Sequence, residues 1–134
     1  AFTGNVFSFL LTGENSLSAG ASTALFGLIA AEGIFFYQNK KIFGSQARKA
    51  LGNTAFIIIL NLFIGLSLGF DNWGHLGGFL GGAMFAWFAG PLWEVAGISP
   101  DFHLEDKREF REIALGAGAV LIIFGGLAVW KMFF

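Results

Sequence analysis

The chain has 134 residues, of which 55% are hydrophobic and only 13% charged, and its mean hydropathy is +0.69. A soluble domain carries about 25% charge, so this composition excludes a chain that faces water on all sides. A net charge of −1 offers no basic surplus for phosphates, so no nucleic acid partner is expected. The absence of Cys excludes disulfide frameworks and thiolate metal sites, and two His alone make no zinc set; neither a metal nor another cofactor is implied. The chain has twenty Gly, and a glycine excess inside apolar runs is a membrane habit. The expected partner of most of this surface is the lipid bilayer.

In chain order, the first apolar stretch is Ala1 to Leu11, with Asn5 to Leu11 reading as the end of a helix. It is too short to cross a bilayer and has no charged n-region of a signal peptide, so the native polypeptide is expected to extend upstream by at least two further spans. Four longer segments follow: Ala21–Tyr37, Thr54–Phe70, His75–Trp93 and Ile113–Trp130, of 17 to 19 residues each. At about 1.5 Å per residue these approach the roughly 20 residues that a 30 Å hydrocarbon core requires. The expected fold is an all-α polytopic membrane bundle, with four full spans plus the end of an earlier one, forming a single membrane domain over residues 1–134. Seven of the eight basic residues (Lys40, Lys41, Arg48, Lys49, Lys107, Arg108, Arg111) lie in the segments 38–53 and 94–112. The positive-inside rule assigns both segments to the cytoplasm as loops.

Polar residues inside spans are costly and each is a functional candidate. Ser22 opens the first full span and His75 the third, and both spans run from the outer face inward. The two therefore sit at one depth, where an imidazole could take the proton of a serine hydroxyl. Against this, serine in a membrane helix is commonly only a cap or a packing contact. Ser67 also lies near the outer end of its span, so depth alone does not choose between the two serines. His103 belongs to the segment beside Asp101, Glu105 and Asp106, about a bilayer thickness away. Asn61 is expected to bond between helices, and Glu32 to snorkel or to pair with Lys40 or Lys41.

Close approach of two helices in lipid needs small residues four apart. The His-bearing span supplies Gly74, Gly78 and Gly82 on one register and Gly77 and Gly81 on another. Gly78, Gly82 and Ala86 fall within about 60° of His75 at 100° per residue, so its own face is flat. On the serine span, Ala24, Gly27 and Ala31 form a stripe that points away from Ser22, as on a central helix that packs on more than one side. Any small-x-x-x-small interface would look the same.

At these residues the sequence resembles the rhomboid intramembrane serine proteases. Ser18-Ala-Gly-Ala-Ser22-Thr-Ala-Leu-Phe-Gly27-Leu resembles the family's G-x-S-G motif and the helix after it. Asn72-Trp-Gly-His75-Leu-Gly-Gly-Phe-Leu-Gly-Gly82 resembles its histidine helix. The resemblance covers residues 5–93, with the helix 113–130 matching members that add a seventh helix. It implies Ser22 as nucleophile, His75 as general base, a dyad without a carboxylate, and an oxyanion met partly by the backbone N–H of Ser22. Thr23 stands where the family has glycine, a β-branched residue at a place reserved for a substrate backbone. Thr23→Gly is therefore expected to raise activity or leave it unchanged, with a slight loss of stability. The family's further oxyanion donors, a His and an Asn on an earlier helix, have no counterpart here.

The function implied is an intramembrane endopeptidase acting on transmembrane protein substrates near the outer interface. The alternative is an inactive rhomboid-like protein that binds helices as an accessory subunit of a membrane complex. A transporter or channel fragment would need charged pathway residues, which these spans lack.

Overall fold

The computed structural model describes residues 1–12 and 20–134. Segment 13–19, with Ser18 and Ala19 of the serine motif, lies outside the described residues, as does the side chain of Ser67. The elements are α1 (Phe2–Leu11), α2 (Gly20–Gln38), α3 (Lys40–Phe43), α4 (Ser45–Leu68), α5 (Asn72–Ala89), β1 (Trp93–Ile98), β2 (Asp101–Asp106) and α6 (Phe110–Phe133). Among the described residues three helices, α2, α4 and α6, are long and apolar enough to cross a membrane. The expected third span, α5, is 18 residues long, and Asn72, His75 and its glycines dilute its apolar character. It packs against α1, α2, α4 and α6, and a helix enclosed in this way does not need a lipid-compatible surface all round.

Two expected loops are largely folded. Segment 38–53 contains α3 and the first turns of α4, because charges at Arg48 and Lys49 end an apolar run without ending a helix. Segment 94–112 contains an antiparallel hairpin, β1 with β2, paired from Trp93↔Asp106 to Ile98↔Asp101. The alternation of apolar and polar residues on both sides of Gly97–Pro100 is a strand period rather than a loop pattern. Between them, α5 stops at Ala89 rather than Trp93, because Gly90 and Pro91 cannot continue it. The helix α6 starts at Phe110 behind a capping box made by Glu109 and Glu112.

The bundle is held together by small residues inside and shows its large apolar residues outside. Buried apolar positions are few (Val6, Phe26, Ala30, Ala47, Ala86 and Phe124), while Phe56, Ile59, Phe63, Leu66, Leu121 and Ile122 are exposed, as suits faces against lipid. The two glycine registers of α5 face different neighbours. A Cβ on Gly77 would run into Phe7 and Thr3 of α1, and one on Gly81 into Thr3; one on Gly78 or Gly82 would run into the backbone of Thr23 or Gly27 on α2. So α5 lies wedged between α1 and α2, with glycine on both seams.

At the far end, two side chains tie off the helix termini. Asn39, 2% exposed, donates to the carbonyls of Phe35 and Pro91 at 2.8 and 2.9 Å and accepts from the amide of Trp93 at 2.7 Å. Arg108 donates to the carbonyls of Gly90 and Trp87 at 2.9 and 3.1 Å, to Gln38 at 3.3 Å and to Glu112 at 3.2 Å. These bonds satisfy carbonyls that the end of α5 leaves without helical donors. They join the last turns of α2 and α5, so the first turns of the same two helices meet at the opposite end.

Candidate active site

The first turns of α2 and α5 border a cavity of about 540 Å³. Ser22, Leu25, Phe26 and Ile29 of α2 form one wall, and Asn61 of α4, the turn Gly69–Asp71 and His75 of α5 form the others. Ser22 is the third residue of α2, in the turn where amides point out of the helix end. His75 is the fourth residue of α5, 5% exposed, with its ring stacked on Phe26 at 4.3 Å between centroids and 8° between planes. Phe26 is one turn after Ser22 on the same helix face, so one stripe of α2 carries the hydroxyl and braces the imidazole. The Nδ1 atom of His75 is buried with no hydrogen-bond partner among the described residues.

The turn before α5 is built to start the helix at this place. Gly69 takes a left-handed conformation, φ 70°, and closes α4 by donating to Gly65. Asp71 then caps α5, its Oδ1 accepting from the amide of Gly74 at 2.8 Å. Asn72 reaches back to α4, donating to the carbonyl of Leu62 at 3.2 Å and nesting against Gly65. Asp71 sits in the turn and also borders the cavity with His75.

Several sequence expectations change here. Thr23 is absent from the cavity wall and has no exposed surface. It fills the junction where Gly4 of α1 and Gly74 of α5 approach α2. Its side chain fills space between helices, so the loss of stability in Thr23→Gly is expected to be larger than the slight one read from the sequence. Removing a buried β-branched side chain and adding chain entropy is expected to lower stability by about 1–3 kcal/mol, read as a lower thermal midpoint in detergent micelles. Asn61 donates to the carbonyl of Ile57 at 2.8 Å on its own helix rather than across to another. Glu32 is exposed, and Lys40 stands 4.7 Å over the Tyr37 ring instead of pairing with it. His103 lies in β2 of the hairpin, away from the cavity. Sequence reading missed Phe26; the i, i+4 spacing from Ser22 was the signal that pointed to it.

Residues 1–92 match the family model described as the Rhomboid domain. The chain is 43% identical to RHOMBOID-like protein 2 of Arabidopsis thaliana, over 98% of the chain and 42% of that protein. It is 42% identical to RHOMBOID-like protein 6, mitochondrial, of the same plant, over 60% of the chain and 26% of the relative. It is 40% identical to Rhomboid protease GluP of Bacillus subtilis (strain 168), over 60% of the chain and 15% of the relative. The chain therefore spans less than half the length of these curated relatives. No solved structure matches it.

Proposed function

The chain belongs to the rhomboid family, and on that premise we propose that it is an intramembrane serine endopeptidase with Ser22 as nucleophile and His75 as general base. The observation that carries the reading is the cavity that Ser22 and His75 share, each in the first turn of its helix. In this reaction the Ser22 hydroxyl oxygen bonds to the carbonyl carbon of a substrate peptide while its proton passes to the His75 imidazole. Negative charge then develops on the former carbonyl oxygen, next to the start of α2, where the Ser22 amide and the helix dipole favour it. Collapse of this intermediate breaks the peptide C–N bond, and the imidazole returns the proton to the leaving amine. Water in the cavity then hydrolyses the acyl-Ser22 ester by the same route, with His75 again as base.

The substrates in this reading are transmembrane protein segments that reach the cavity near one face of the bilayer. The segments 38–53 and 94–112, with seven of the eight basic residues, lie at the end of the bundle remote from the cavity, which supports a site toward the outer face with those segments in the cytoplasm. The test is labelling by a fluorophosphonate probe in lipid. The wild-type chain is expected to label and Ser22→Ala to lose all signal. Equal labelling of Ser22→Ala removes Ser22 from the mechanism, and no labelling of a folded wild-type chain favours the accessory, helix-binding reading.

A further inference from the structure

The hairpin β1–β2 has two unlike faces. Cross-strand partners share a face, so Val95 with Leu104 and Gly97 with Phe102 form one side, continued by Trp93 opposite Asp106. The other side carries Glu94 with Glu105, Ala96 with His103 and Ile98 with Asp101. The first side is apolar but open: Val95, Phe102 and Leu104 are 57%, 62% and 52% exposed. Among the described residues the hairpin packs extensively only on itself. A two-stranded sheet with an uncovered apolar face is marginal in water, so something must cover it.

The root of the hairpin fixes what that is. Trp93 is bonded to Asn39 at the end of α2, Leu92 to Asp106 at 2.9 Å, and Lys107 to Leu92 at 2.9 Å, while Arg108 ties the same place to the last turn of α5. The apolar helix α6 begins at Phe110, four residues beyond β2, and the membrane-length window of α2 ends at Gln38, one residue before Asn39. The root therefore stands where the bundle leaves the bilayer. A recess of about 650 Å³ runs between Trp93–Val95 and the α2–α3 corner, bordered by the exposed Lys40 and Lys41. Glu94 also borders it, with its carboxylate engaged by Lys107. An apolar surface beside lysines, level with helix ends, matches the acyl and phosphate layers of a phospholipid interface.

We propose that the hairpin lies on the bilayer that the bundle spans, with Val95, Phe102 and Leu104 in the interfacial layer and Glu94, His103 and Glu105 facing water. The chain contains no Cys, so single-cysteine variants report one position each. Phe102→Cys and Leu104→Cys mark the apolar face, and His103→Cys and Glu105→Cys the polar face. Each full chain is labelled with an environment-sensitive fluorophore and reconstituted into phosphatidylcholine–phosphatidylglycerol vesicles, with and without lipids bearing a nitroxide near the headgroup. Labels at 102 and 104 are expected to be blue-shifted and quenched several-fold more by nitroxide lipid than labels at 103 and 105, which iodide quenches instead. Equal nitroxide quenching on both faces overturns the proposal. So does shielding of 102 and 104 from iodide without lipid quenching, which would mean that protein, such as a second copy of the chain, covers the face. This readout does not depend on Ser22 or on any catalytic activity.

Discussion

Replacing His75 by alanine is expected to slow fluorophosphonate labelling of Ser22 by about 10²–10⁴-fold, the usual range for loss of a general base. The ring has a second role, because it is buried and stacked on Phe26, so the same substitution also removes packing at the head of α5. Phe26→Leu separates the two effects. It removes the stack and about 0.5–1.5 kcal/mol of aromatic pairing but leaves the base in place, so it is expected to lower the unfolding midpoint with only a modest change in labelling rate. Free imidazole in the buffer is expected to restore part of the rate in His75→Ala, since the vacated ring site lies at a cavity of about 540 Å³, and to leave Phe26→Leu unchanged. Labelling time courses on matched folded fractions give all three numbers. Equal slowing in both variants, with no imidazole rescue, would assign His75 a packing role and remove it as the base.

The parts of this molecule that could be read from its sequence are those governed by local or helical periodicity. Apolar runs gave α2, α4 and α6, because a membrane helix must satisfy its own backbone over its whole length. Ser22 and His75, which border one cavity, stood out as candidates because a hydroxyl and an imidazole in otherwise apolar segments are anomalies. What stayed hidden depends on which faces meet. Thr23 looked like an obstacle beside Ser22, but one residue is 100° of helix rotation, enough to turn it from the cavity into the Gly4–Gly74 junction. Gly77 and Gly78 are neighbours in sequence and serve different helices for the same reason. The roles of Asn39 and Arg108 were invisible because their partners lie 52 and 70 residues away, at Pro91 and Gln38. The hairpin was masked by its charges, which mark a segment outside the membrane without saying whether it is folded.

The largest stability effect is expected at Gly82. A Cβ there would stand 2.5 Å from the Cα and 2.8 Å from the carbonyl carbon of Gly27, both main-chain atoms that no rotamer change can move aside. Gly82→Ala must therefore push α5 and α2 apart, and it is expected to lower stability by about 1–3 kcal/mol or more. Gly27→Ala meets the same seam from the other side with more room: the Gly78 carbonyl oxygen at 3.3 Å and the Gly82 Cα at 3.9 Å. Its effect is expected to be smaller. On α6, a Cβ at Gly126 meets nothing within 4 Å, so Gly126→Ala is expected to be neutral, or stabilising by up to about 1 kcal/mol through helix propensity. Unfolding midpoints in detergent, with helicity as the readout, rank the three. Because the displaced helices carry Ser22 and His75 in their first turns, Gly82→Ala is also expected to reduce fluorophosphonate labelling among molecules that remain folded, whereas Gly126→Ala leaves it unchanged. If Gly82→Ala matched Gly126→Ala in both midpoint and labelling, the close α2–α5 seam would not be what holds the two candidate catalytic groups together.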